Sequence, residues 1–210
     1  MQTSSYVKTS RELRSLHAVL KEWTRLNRNL GRQWSQVGDL PWWYNERALL
    51  SLFAGAIWRT GGHAFEEFSE TKFKGTKKKG SNGRVDLWFE NAGGAFRAEI
   101  KDAEIPIIKE GKQLRRLRKL MGRAVDDARC NPAEGSNSRR LAIAFAVPYL
   151  RAETPQKDRQ DQTKRFLSLV KKVEFDAIAW TFPSMKVPPV YKGWICPSIV
   201  VMIKLVKRSL

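Results

Sequence analysis

Asp86, Glu99 and Lys101 stand in the pattern Asp-(x12)-Glu-x-Lys, on two short runs with strand character, 84–90 (RVDLWFE) and 95–105 (AFRAEIKDAEI). Two carboxylates gathered on one sheet supply hard oxygen donors for Mg²⁺ or Mn²⁺. An ammonium beside them can orient a water or stabilise a developing negative charge. That combination suits hydrolysis of a phosphodiester. The plainer reading of the same residues is a surface Asp beside an ordinary Glu–Lys strand pair. Glu-x-Lys recurs at Glu70-Thr-Lys72 and Glu110-Gly-Lys112, but only Glu99-Ile-Lys101 follows a hairpin signal and has an Asp on the preceding run.

The turn supplies the geometry. Asn91-Ala92-Gly93-Gly94 separates the two runs, as in a β-hairpin. With Ala92 and Gly93 as a two-residue loop, Phe89 opposes Phe96, Trp88 opposes Arg97, and Asp86 opposes Glu99. Opposed residues share a face with Cβ atoms roughly 5 Å apart, and Lys101 shares it by the two-residue period. A slip of one residue would put Asp86 and Glu99 on opposite faces. Glu46 belongs to the same question. It lies on a helical stripe with Leu49, Leu50, Phe53 and Ile57, where an acid is costly to bury unless paired or metal-bound. Its other reading is a solvated acid favourably placed at a helix start. The site requires the Glu46 helix to pack over the face that carries Asp86 and Glu99.

Charge sets the partner. The 210 residues hold 39 Lys and Arg against 21 Asp and Glu, a formal charge of +18. That excess points to a polyanion, nucleic acid before an anionic membrane surface. The 42% apolar fraction and eight tryptophans indicate a folded chain. No apolar run is long enough to span a membrane. The N-terminus lacks an apolar signal core, so a cytoplasmic protein is expected. Cys130 and Cys196 lie outside any Cys-x-x-Cys, which argues against a disulfide scaffold or zinc site. With only His17 and His63 present, a catalytic site has to be built from carboxylates and lysine.

The remaining elements follow from periodicity. Thr9-Ser10-Arg11-Glu12 is a capping-box pattern, opening a helix with Leu13, Leu16, Leu20, Trp23, Leu26 and Leu30 on one stripe up to Gly31. This helix packs on the core or serves as a dimer element, which leaves a homodimer open. A second helix begins at Asp39 as N-cap, with Pro41 in its first turn, and ends at Gly61-Gly62. A strand at 63–74 and a basic, glycine-rich loop at 75–83 precede the Asp86 strand. Residues 110–130 form an amphipathic helix, with Arg115, Arg116, Arg118, Lys119 and Arg123 opposite its apolar stripe. The apolar run 139–148 is an interior strand. A helix near 160–172 and strands at 173–182 and 198–206 follow.

Helix–strand–strand–strand–helix–strand, with Asp on the second strand and Glu-x-Lys on the third, resembles the PD-(D/E)XK nuclease superfamily. The resemblance covers residues 39–148, with Val85 standing where the motif's name has Pro. It implies an α/β fold: a restriction-endonuclease-like αβββαβ core, a central mixed sheet flanked by helices. An N-terminal helix (1–38) and a C-terminal α/β extension (149–210) complete a single domain. The resemblance matches Asp86, Glu99 and Lys101 to the motif, and Glu46 to a Glu that many members carry on the first core helix. It implies a metal-dependent nuclease, most naturally acting on DNA. Asp86, Glu99 and the Ile100 carbonyl would hold Mg²⁺ (or Mn²⁺), with Glu46 reaching the same ion through water or helping to hold a second. The alternative is a non-catalytic nucleic-acid-binding protein of the same fold. Lys77, Lys78, Lys79, Arg84, Arg115, Arg116 and Lys119 are the candidate phosphate contacts. Trp42-Trp43-Tyr44 can stack on bases, although core packing is the expected role.

Overall fold

The computed structural model describes residues 4–72, 80–107, 110–131, 138–183, 185 and 188–207. Phe89 and Phe96 show why the sheet forms where it does. The two rings stack at 4.7 Å across the hairpin and are fully buried, which pins one register. The hairpin pairs β3 (Ser81–Asn91) with β4 (Gly94–Pro106). β2 (His63–Lys72) lies outside β3 as the edge of the sheet. On the other side β4 pairs in parallel with β5 (Arg139–Arg151), reached through helix α3 (Glu110–Arg129).

The sheet does not stop at β5. β8 (Ile199–Val206), β6 (Ala177–Phe182) and β1 (Ser4–Thr9) continue it, in the order β1-β6-β8-β5-β4-β3-β2. A two-residue strand, β7 (Trp194–Ile195), pairs with the end of β5. The molecule is thus α/β, with a mixed eight-stranded sheet flanked by helices. Among the described residues no helix is long and apolar enough to cross a membrane.

β5 is buried on both faces, as its unbroken apolar run requires. Leu141, Ile143, Phe145 and Val147 pack with α1 (Leu16–Trp34) and α2 (Glu46–Arg59). Ala142, Ala144 and Ala146 face α3 and α4 (Gln156–Val170), where methyl groups allow a close approach. The α1 stripe is spent inside the chain: Leu13, Leu16, Leu20 and Trp23 are fully buried.

Two helix starts differ from the capping patterns. Ser4–Thr9 pair with β6 as a strand, and α1 begins only at Leu16. Pairing with a distant strand overrode the capping box at Thr9–Glu12. The second helix starts at Glu46 with Asn45 as N-cap, its side chain accepting from the Ala48 N–H. Pro41–Trp43 form a separate 3-10 turn, and Asp39 accepts from its neighbour Leu40 N–H instead.

Candidate active site

The β3–β4 ladder runs in the register that a two-residue turn dictates, from Asn91↔Gly94 to Leu87↔Ala98. At the next step it changes character. The Ile100 N–H donates to the Asp86 side chain, Oδ2, at 2.7 Å, so a carboxylate stands where a strand carbonyl would. The β2–β3 ladder also steps over this point, passing from Glu66↔Leu87 to Phe68↔Val85. Glu67, between them, has φ 49°, a left-handed conformation that costs a residue with a side chain about 1–3 kcal/mol. Arg47 (2.7 Å) and Arg84 (2.8 Å) hold its carboxylate in place.

Glu99 lies beside Asp86 with its side chain 3% exposed. Burial, reinforced by the Asp86 charge, pushes its carboxyl up to about 7, against the pull of Lys72. Lys72 donates to Glu99 Oε1 at 2.8 Å. Its stem crosses Gly83, where a Cβ would meet it at 2.8 Å, so the glycine keeps this path open. Asn131, 2% exposed, lies next to Glu99. Like Lys72, its amide favours the charged form of that carboxylate.

Lys101 donates to the Ile100 carbonyl at 2.8 Å and pairs with Asp127 of α3 at 3.0 Å. Burial works against its charge, but Asp127, Glu46 and Asp86 outweigh it and hold the pKa above the ordinary lysine value. Lys101 and, less strongly, the Asp102 backbone favour the charge of Glu46. Burial dominates, with Asp86 and Asp102 adding to it, and its carboxyl is raised.

The site is therefore assembled differently from expectation in one respect. Helix α2 does not pack over the face that carries Glu99 and Lys101. Its Leu49, Phe53 and Ile57 pack with Leu87, Phe89 and Ile100 on the opposite face, while Lys101 reaches α3. The apolar stripe had to meet the apolar face of the hairpin, and Glu46 approaches Asp86 and Lys101 from the helix end. Among the described residues no three His, Cys, Asp or Glu side chains gather into a ligand cluster.

The donor set nevertheless suits a hard dication. Asp86 and Glu99 offer carboxylate oxygens and Ile100 a carbonyl, all ligands of the kind that Mg²⁺ and Mn²⁺ take. The raised Glu99 carboxyl marks a place where burial and the Asp86 charge outweigh Lys72 and Asn131. Two ammonium groups stand on these oxygens, Lys72 on Glu99 and Lys101 on Ile100.

The candidate phosphate contacts are dispersed. Lys77, Lys78 and Lys79 lie outside the described residues. Arg84 is exposed and paired with Glu67. Arg115, Arg116 and Lys119 are exposed on α3, about 12–18 Å along the helix from Asp127. Lys72, Asp127 and Asn131 were not foreseen from the sequence. Lys72 did carry a signal, since Glu70-Thr-Lys72 is itself a Glu-x-Lys. Its Glu70 pairs with Arg97 at 2.9 Å.

No family model, no curated protein and no solved structure matches this chain.

Proposed function

We propose that the chain is a metal-dependent nuclease of the PD-(D/E)XK type, hydrolysing phosphodiester bonds with DNA as the expected substrate. The observation that carries this reading is the meeting of Asp86, Glu99 and Lys101 where the β3–β4 ladder gives way to a side-chain contact. The element order α2-β2-β3-β4-α3-β5 supports a restriction-endonuclease-like core, and the +18 charge supports a polyanionic substrate.

Asp86, Glu99 and the Ile100 carbonyl would hold Mg²⁺ or Mn²⁺, with Glu46 assisting. Such an ion lowers the pKa of a bound water and polarises a phosphoryl oxygen. Lys101 stays cationic near neutral pH, so it donates rather than takes a proton: it orients water or offsets charge developing on the phosphate. Lys72 and Lys101 occupy oxygens the ion would need. An ion held there would compete with Lys72 for Glu99 and with Lys101 for the Ile100 carbonyl. Lys101 would keep Asp127 as a partner, and Lys72 would be free to contact a phosphate.

The same two ammonium contacts favour a second reading, a non-catalytic nucleic-acid-binding protein whose acids are neutralised internally by lysine. Nicking of supercoiled plasmid separates the two. The nuclease cuts with Mg²⁺ or Mn²⁺ and stops in EDTA. Asp86→Ala, Glu99→Ala and Lys101→Ala each lose about 100-fold or more with unchanged circular dichroism. A wild-type protein that retards plasmid and never cuts leaves only the binding role, and an Asp86→Ala protein that cuts at the wild-type rate removes the site.

A further inference from the structure

Five aromatic side chains line a cavity that contains none of Asp86, Glu99 and Lys101. Trp43 and Tyr44 come from the segment before α2, Tyr149 from β5, and Tyr191 and Trp194 from the connection into β8. With Glu104 of β4 they bound about 520 Å³, within the size range of small-molecule sites. The aromatic triplet of the sequence is thus divided: Trp42 is buried in the core, whereas Tyr44 is 51% exposed.

The walls are fixed before any ligand arrives. Tyr44 Oη donates to Asp39 Oδ2 at 2.5 Å. Tyr191 and Trp194 exchange two backbone hydrogen bonds of 2.9 Å across Lys192-Gly193, whose φ values of 48° and 78° fit a tight type I′ turn. Directly opposed, the two residues present their rings to one face. β7 ties the turn to Leu150 and Arg151. Tyr149 meets Trp194 edge-on at 5.0 Å, and Trp43 meets Tyr191 at 5.9 Å. Tyr191 remains 58% exposed.

Cations of the chain itself lie over two of the rings, Arg151 over Trp194 at 4.0 Å and Lys192 over Tyr191 at 5.1 Å. Flat π faces beside the carboxylates of Asp39 and Glu104 suit a planar heteroaromatic with N–H donors, or a cation. The whole-chain charge of +18 chooses between them. It repels a cationic peptide or ammonium ligand at long range and attracts a polynucleotide. Position agrees. Glu104 lies two residues beyond Asp102, about 7 Å along the strand, on the face of β4 opposite Glu99 and Lys101, and Asp102 acts on the charge of Glu46.

We infer that this cavity takes an unstacked nucleobase from a single-stranded or locally opened nucleic acid, its face against Tyr191 and Tyr44 and its N–H groups toward Glu104. The inference rests on the proposed nucleic-acid substrate but not on its cleavage. The test is therefore run in EDTA, with single-stranded and duplex oligonucleotides carrying 2-aminopurine. Tyr44→Ala and Tyr191→Ala alter exposed side chains, so the fold is retained. Each should weaken single-strand binding about tenfold, leave its salt dependence unchanged, and leave duplex binding within about twofold. Wild-type protein should quench 2-aminopurine and the double variant should not. Equal losses on duplex and single strand, or no Tyr191-dependent quenching, overturn the inference. So does Tyr191-dependent binding of a trimethylammonium probe that single strands do not displace. A protein that quenches the base but never nicks plasmid keeps this cavity and loses only the nuclease reading; one that nicks without quenching does the reverse.

Discussion

Glu99 is buried beside Asp86 and is answered by the ammonium of Lys72. Its carboxyl, near 7 in the folded protein, stands above the 4.5 of a free glutamate, so between those values the folded state holds a proton that the unfolded state has released. Metal-free stability must then fall as pH rises through that window, by up to ~3 kcal/mol. Glu99→Gln keeps the acceptor for Lys72 and removes the titration. Thermal unfolding in EDTA should show variant and wild type alike near pH 5, with the variant melting several degrees higher at pH 8. A wild type that gains on the variant as pH rises would mean that Lys72 outweighs burial and Asp86. This single contact decides whether the site waits for an added cation or is already neutralised.

At the scale of elements, the hairpin is positioned by what it touches beyond itself. Arg139 Nη2 donates to the Gly93 carbonyl at 2.7 Å and Asn91 Nδ2 to the Ser15 carbonyl at 3.4 Å, tying the turn to β5 and to the start of α1. A Cβ on Gly93 would run into the Ser15 side chain. Gly93→Ala should therefore destabilise by ~1–3 kcal/mol, the usual cost of overpacking. Gly122 on α3 has open space around its Cβ position. There the same change should stabilise by up to ~1 kcal/mol, because a helix interior favours alanine. Urea titrations of both variants check the pair, and a neutral Gly93→Ala would show that the turn and α1 yield to each other. The seating of this hairpin also sets where Asp86 meets Ile100, five residues from the turn end of β3.

Over the whole molecule, charge acts independently of the proposed metal ligands. A Glu99→Ala protein should still bind DNA, with an affinity that falls steeply as salt rises, since each phosphate neutralised contributes about −0.9 to the log–log slope on duplex. Replacing Arg115, Arg116 and Lys119 together by Ala should flatten that slope by up to ~3 if this face of α3 follows the backbone. The measurement is a salt series of binding isotherms for the two proteins. An unchanged slope would assign the phosphate contacts to other basic residues and leave α3 solvated.

Short-range order was legible without the structure. Turn length and the two-residue period put Phe89 against Phe96 and Trp88 against Arg97, while the ladder ends at Leu87 and Ala98, one step short of Asp86 and Glu99. The apolar run of β5 announced a strand buried on both faces. Three features became visible only in three dimensions. β1 is extended because it pairs with β6, more than 160 residues away, against a local helix-capping pattern. Lys72 reaches Glu99 through the pairing of β2, β3 and β4, which no spacing along the chain encodes. The side of the sheet taken by α2, like the aromatic cavity built from four separate segments, follows from how all the apolar stripes share out the two faces. Periodicity is a property of neighbours a few residues apart and survives in any window of sequence. The choice of face and of distant strand partner depends on burial summed over the whole chain, and so is decided only when the chain has folded.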